Sequence, residues 1–331
     1  MKKMLAALMA AVLLLSCLGA GALAEEKKLK AVVTIFPIYD WVRQIAGDNL
    51  DNLEITMLLD SGADLHNYQP TAMDILKVAQ ADLFIYVGGE SDGWVDKVLA
   101  AASNPSLRAL NLMEALGDAV KEEAIVEGME HEHEDHDHEE HDEHDHDHEE
   151  EEHESDEHIW LSLRNAMALV PEIAQAMGAC DPANAEKYAA NASAYADQLK
   201  ALDEKYVQAV AEGSLKTILF GDRFPFRYLA DDYGLEYFAA FTGCSAETEA
   251  SFQTIAFLSR KVDELGLKTV LTIENPKTQL PRAIVQNTQT KDQKILSMNS
   301  LQSVTADDLK TGINYLSVMA ENLEVLKEAL Q

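Results

Sequence analysis

Ten of the chain's eleven histidines lie between residues 130 and 158, in the run EHEHEDHDHEEHDEHDHDHEEEEHESDEH. The run has no apolar residue, no Lys or Arg, and no Gly or Pro. Its side chains are nearly all imidazole or carboxylate, the donors that hold borderline divalent cations such as zinc. The chemistry to look for is therefore transition-metal handling. Three pairs, His131 with His133, His136 with His138 and His144 with His146, each set two imidazoles one residue apart. With His141, His148 and His153 they make chelation by two or three side chains feasible. A segment of this composition buries too little apolar surface to offset the entropy of ordering, so residues 130–157 are expected to form a solvated, disordered loop. Its metal affinity should be weaker than that of a preformed site and should fall below about pH 6, as imidazoles protonate near 6.5. The loop could capture metal and pass it on, sense zinc, or serve only solubility.

Two histidines stand apart from the rest of the run. His66 sits in the loop Asp60–Gln69 after an apolar strand, and His158 sits where the acidic run gives way to Ile159-Trp160. Both fall on one edge of the sheet expected for the first half of the chain. Nothing points to an enzyme. There is no His-Glu-x-x-His, since His138-Glu139-Glu140-His141 is one residue short, and no Gly-x-Ser-x-Gly. No histidine follows His158 to act as a base.

The elements that must position these residues follow from periodicity. Leu29–Phe36, Leu53–Leu59, Asp82–Val87 and Leu107–Leu112 are apolar runs expected of buried parallel strands, with helices at Ile38–Ala46, Thr71–Ala79 and Trp94–Ala102. Beyond the acidic loop, Arg164–Met177 reads as a helix. Pro182 opens a second helix, running to about Ala211 without internal Gly or Pro, long enough to bridge two lobes. A second alternating unit follows, with strands at Leu215–Phe220, Leu235–Phe241, Lys268–Ile273 and Lys294–Met298. Its helices are Phe226–Asp232, Glu249–Leu265 and Leu280–Gln289, and Ile313–Leu330 closes the chain as an amphipathic helix. The expected fold is α/β: two parallel-sheet lobes joined by one long rigid helix, with the ligand cleft between them at the strands' carboxyl ends. The divisions are residues 25–163, 164–212 and 213–331.

Charge and leader agree with work outside the cytoplasm. The formal net charge is −32; without the 18 acidic residues of 130–157, 40 acids face 26 bases and the body is still −14. That argues against nucleic-acid binding and suits a cation-binding protein. Lys2 and Lys3, the apolar Met4–Leu15 and Ala22-Leu23-Ala24 form an export signal cleaved before Glu25. An alternative uses Leu14-Leu15-Ser16-Cys17 as a lipobox with Cys17 lipidated. Cys180 and Cys244 either form a disulfide, as the compartment permits, or stay separate buried thiols.

Three segments resemble the zinc-uptake substrate-binding (cluster A-I) family of bacterial ABC importers. They are Gly62-Ala63-Asp64-Leu65-His66-Asn67-Tyr68-Gln69-Pro70-Thr71, His158-Ile159-Trp160-Leu161-Ser162, and Ser245–Ser251 with Leu271-Thr272-Ile273-Glu274. The resemblance covers essentially the whole mature chain. It implies a monomeric extracytoplasmic protein that delivers Zn²⁺, or alternatively Mn²⁺, to a membrane permease. It also implies a cleft metal held by His66 and His158 with ligands from the second lobe. There the sequence departs from the family, whose third histidine follows the second lobe's first strand. Counting forward from that strand puts Gly221 or Asp222 at the position, and counting back from Tyr228-Leu229-Ala230 puts Arg223 there. Gly221 has no side chain and arginine cannot coordinate a metal, so Asp222 is the local replacement. Glu274 matches the family's C-terminal acidic position. The expected set is His66, His158 and Glu274, with Asp222 or water fourth. A secreted zinc buffer or adhesin acting through the His-rich loop is the other reading.

Overall fold

A computed structural model of the chain describes residues 28–129, 154–245, 249–274 and 279–331. Several residues of the sequence reading lie outside the described residues: the leader with Cys17, and the loop histidines His131, His133, His136, His138, His141, His144, His146, His148 and His153.

The first lobe is built on β1 (Leu29–Val33), β2 (Leu53–Met57), β3 (Leu83–Tyr86) and β4 (Arg108–Asn111), paired in parallel in the order β2-β1-β3-β4. Every residue of β3 is buried, as a strand covered on both faces requires. The helices between them are α1 (Phe36–Ala46), α2 (Ala72–Ala79) and α3 (Val95–Ala100), and α4 (Leu112–Leu116) follows β4. The expected strand Leu29–Phe36 stops at Val33; Phe36 opens α1, and Pro37 lies in its first turn, where the missing N–H leaves no helical hydrogen bond unmade.

Helix α5 (Leu163–Cys180) and helix α6 (Ala185–Glu212) come next. The 28 residues of α6 span about 42 Å. Tyr188, Ala192, Tyr195, Leu199, Leu202, Tyr206 and Val210 form its buried stripe, spaced three or four residues apart. This stripe packs on α5 and α1 and, at the second lobe, on the last helix.

The second lobe repeats the plan with β5 (Thr217–Phe224), β6 (Glu236–Thr242), β7 (Thr269–Ile273) and β8 (Lys294–Met298), all parallel in the order β6-β5-β7-β8. Its helices are α7 (Arg227–Tyr233), α8 (Phe252–Leu265), α9 (Gln279–Asn287), α10 (Ala306–Lys310) and α11 (Tyr315–Ala329).

Three features differ from the expectations. First, β5 does not stop at Phe220; its register with β6 shifts between Phe220 and Arg223, and pairing resumes at Arg223 and Phe224. Asp222 and Arg223 therefore belong to a strand irregularity rather than a free loop. Second, the segment expected to be disordered through residue 157 is built into the fold from Glu154. Ser155 pairs with Glu122, and Asp156 and Glu157 are buried. Third, the C-terminal helix does not belong to the second lobe alone. The Tyr315 N–H donates to Asp40 Oδ2 of α1 at 2.9 Å, its ring meets Trp41 edge-on at 5.3 Å, and its hydroxyl donates to the Trp160 carbonyl at 2.6 Å. The larger of two apolar clusters consequently reaches both sheets, and a smaller one lies within the second lobe among β5, β6, β7, α8 and α9.

Candidate metal site

His66 is placed by a short capped turn. After β2 the chain enters a 3₁₀ turn, Leu65–Asn67, and Asp64 Oδ1 accepts from the His66 N–H at 3.1 Å. Thr71 and Asp74 then form a capping box that starts α2 immediately beyond Pro70. His158 stands at the head of another 3₁₀ turn, Ile159–Leu161, and is fully buried against the Trp160 ring.

The two rings converge, with Nε2 of His66 3.1 Å from Nε2 of His158. Each ring is held from behind through its other nitrogen. His158 Nδ1 lies 2.9 Å from Asp156 Oδ1, which also accepts from the His158 backbone N–H at 2.9 Å. His66 Nδ1 lies 3.0 Å from Ser91 Oγ and 3.3 Å from Glu157 Oε2. Glu157 in turn accepts from the Ser91 N–H through Oε1 at 2.8 Å. Burial alone would raise the Glu157 carboxyl, but the His66 and Ser91 hydrogen bonds hold it below its usual range. A carboxylate on Nδ1 fixes the tautomer that aims the Nε2 lone pair forward, the arrangement that supports histidine metal ligands. Gly89, at φ +80°, permits this packing, since a Cβ there would come within 2.4 Å of Glu157 Oε1.

The second lobe adds a residue that the sequence leaves as either a disulfide partner or a separate buried thiol. Cys244 follows β6, and one donor atom from each of His66, His158 and Cys244 lies within 4.8 Å of the others. Among the described residues this is the group that could hold an ion, and it contains neither Glu274 nor Asp222. Tetrahedral zinc with these ligands needs N···N and N···S separations of about 3.3 and 3.6 Å. The two imidazoles thus need to open by only a few tenths of an ångström, while the sulfur, within 4.8 Å of them, must close by up to about 1 Å; with that shift the donor set fits a zinc ion.

The other expected positions are engaged elsewhere. Glu274 Oε1 and Oε2 accept from the Ser300 hydroxyl at 2.5 Å and the Ser300 N–H at 2.6 Å. Asp222 accepts from the backbone N–H groups of Arg223 at 2.9 Å and Ile273 at 3.3 Å, which binds β5 to β7 across the irregularity. Cys180 and Cys244 are both free, not paired; the Cys180 thiol donates to the Asp82 carbonyl at 3.5 Å.

Arg223 takes a structural part in place of a ligand's. Its Nη2 donates to Asp64 Oδ2 at 2.6 Å and its Nη1 to the Ser245 carbonyl at 3.2 Å. One guanidinium thereby ties the residue capping the His66 turn to the residue after Cys244, across the two lobes. Gln302 completes the cleft. With its amide nitrogen donating to Asp64 Oδ1 at 2.8 Å, its oxygen lies 2.8 Å from His158 Nε2, a contact made only while Nε2 carries the proton. An ion that takes the Nε2 lone pair requires the Nδ1–H tautomer facing Asp156 and displaces the amide.

Two parallel α/β lobes, a bridging helix and an imidazole pair at the strands' carboxyl ends define a two-lobed metal-binding protein. Comparison with known proteins gives the family. The family model described as "Zinc-uptake complex component A periplasmic" matches residues 31–329, and the chain belongs to this family. It is 32% identical over 303 residues to the zinc-binding lipoprotein AdcA of Streptococcus pneumoniae, which covers 92% of the chain but only 56% of that protein. The chain therefore spans about half the length of that relative. It is 28% identical to the high-affinity zinc uptake system protein ZnuA of Bacillus subtilis, covering 92% of the chain and 88% of the relative. The crystal structure of the Zn(II)-bound ZnuA-like domain of the pneumococcal protein superposes with a TM-score of 0.69, at 28% identity, covering 92% of this chain and 99% of that one.

Proposed function

We propose that this protein captures Zn²⁺ outside the cytoplasm in the cleft between its lobes and delivers it to an ABC-type membrane permease. The observation that carries the reading is the pair of Nε2 atoms 3.1 Å apart, each imidazole backed by its own carboxylate. His66 and His158 are the ligands from the first lobe, and the second lobe supplies the remainder. Solute capture rather than catalysis suits the cleft, because no histidine follows His158 to serve as a base. Among the described residues no helix is long and apolar enough to cross a membrane. Imidazole donors favour zinc over manganese, which prefers oxygen. Glu274 and Asp222 remain candidates for the second-lobe share only if they release their present backbone partners.

The test is competition with a chelator at substoichiometric zinc, on the intact chain and on a chain lacking residues 130–153. One tight site should survive the deletion and vanish in His66→Ala. Loss of all tight binding on deletion would instead make the His-rich loop, from His131 and His133 through His146 to His153, the main functional element, the behaviour of a secreted buffer.

A further inference from the structure

We propose that Cys244 binds the cleft ion as a thiolate, so that the site is His66, His158 and Cys244 and selects thiophilic divalent cations, Zn²⁺ and Cd²⁺, over Mn²⁺. This rests on the cleft being the metal site and adds a ligand to it. Geometry is the first support, since the Cys244 donor atom lies within 4.8 Å of both imidazole donors. Construction is the second. Gly243 lets this loop lie directly on His158: a Cβ there would stand 2.9 Å from His158 Cε1 and 3.0 Å from the Phe224 carbonyl. The loop is also pinned on both sides of the sulfur. The Cys244 N–H donates to Glu123 Oε1 at 3.1 Å, and the Ser245 carbonyl accepts from Arg223 at 3.2 Å. A cysteine held at its own N–H and at the carbonyl of the next residue, beside two imidazole nitrogens facing the same space, is set up as a donor.

Chemistry supplies the selectivity. The free side chain is a thiol, and a bound divalent cation takes it as the thiolate: the Sγ–metal bond forms as the S–H bond breaks, and the proton leaves to solvent. Thiolate binds Zn²⁺ and Cd²⁺ far better than the hard, oxygen-seeking Mn²⁺. The second lobe, which has no histidine, thereby contributes a soft ligand at the position closing the cleft.

Cobalt substitution tests this on the intact chain. One equivalent of Co²⁺ should give a thiolate-to-cobalt charge-transfer band in the near ultraviolet. Cys244→Ser should abolish it, and Cys180→Ser and Cys17→Ser should leave it. The His-rich loop has no sulfur and cannot produce the band. Zinc affinity in Cys244→Ser should fall more than about 100-fold, beyond the 10–100-fold typical of losing an outer-sphere partner. Cys244→His should restore zinc binding without the band, which separates a ligand role from damage to the fold. An intact chain that binds Co²⁺ in the cleft without the band, or a Cys244→Ser protein with unchanged zinc affinity, overturns the proposal. If His66→Ala and His158→Ala also leave tight binding unchanged, the cleft reading itself fails; if they abolish it, only the Cys244 ligand does.

Discussion

Arg223→Gln probes how the lobes and the site hold each other. Arg223 donates to the Asp64 carboxylate at 2.6 Å and to the Ser245 carbonyl at 3.2 Å, and Arg223 and Asp64 are each only 17% exposed. Hydrogen bonds to charged groups contribute about 1.5–3 kcal/mol each, and the two share one side chain, so together they should contribute about 2–4 kcal/mol. Glutamine is too short to reach both acceptors. Asp64 would keep the His66 N–H and Gln302, which limits the loss. At about 2–4 °C per kcal/mol for a large domain, the melting temperature should drop by about 5–10 °C. The pH dependence gives an independent check. Burial alone would raise the Asp64 carboxyl, but Arg223 and His66 hold it below its usual range. A depressed carboxylate contributes its stability above the unfolded value of about 3.9 and loses it as pH falls through the lower folded value. The gap between wild type and variant should therefore be full at pH 7 and close in strong acid. The assay is circular-dichroism melting in chelator at both pH values, with zinc affinity measured in parallel. A variant that melts within about 1 °C of wild type at pH 7 would refute the latch, because even one lost charged hydrogen bond predicts a larger shift.

Further expectations concern the supports behind the ligands. Asp156→Asn should weaken zinc binding about 10–100-fold, since an amide no longer enforces the His158 tautomer; unchanged affinity in chelator competition would count against that role. Gly243→Ala should weaken zinc binding with little effect on far-ultraviolet dichroism, because the new methyl must push the loop off His158 Cε1, 2.9 Å away. Asp92 is buried, and desolvation first and the nearby Glu157 charge next push its carboxyl up to about 7. A raised pKa gives stability that is present below the unfolded value and lost as pH rises through the folded one. Asp92→Asn, which keeps an acceptor for the Gly88 N–H, should therefore melt higher than wild type at pH 8, with the difference closing towards about pH 4.

Much of this protein was written in local pattern. Buried strands announce themselves as β-branched runs, and α6 as an uninterrupted stripe, because both signals depend only on neighbours a few residues apart. The two lobes, the bridging helix and the strand-end placement of His66 and His158 follow from such patterns. Cys244 is legible in the same way, since it too follows a strand, β6, in the second lobe.

What the tertiary structure alone decided is which distant residues meet. Composition assigned Asp156 and Glu157 to a solvated acidic run, yet burial beside His66 and His158 makes them the groups that orient the two imidazoles. Arg223, Asp222 and Glu274 each carry chemistry compatible with several roles. In the structure Arg223 bridges Asp64 and the Ser245 carbonyl, Asp222 accepts from the Ile273 N–H beside the irregular register of β5, and Glu274 accepts from Ser300. The physical reason is that a side chain's role at a site depends on its partners in space. Those partners lie far apart along the chain, 159 positions in the Arg223–Asp64 pair, where no local periodicity reaches.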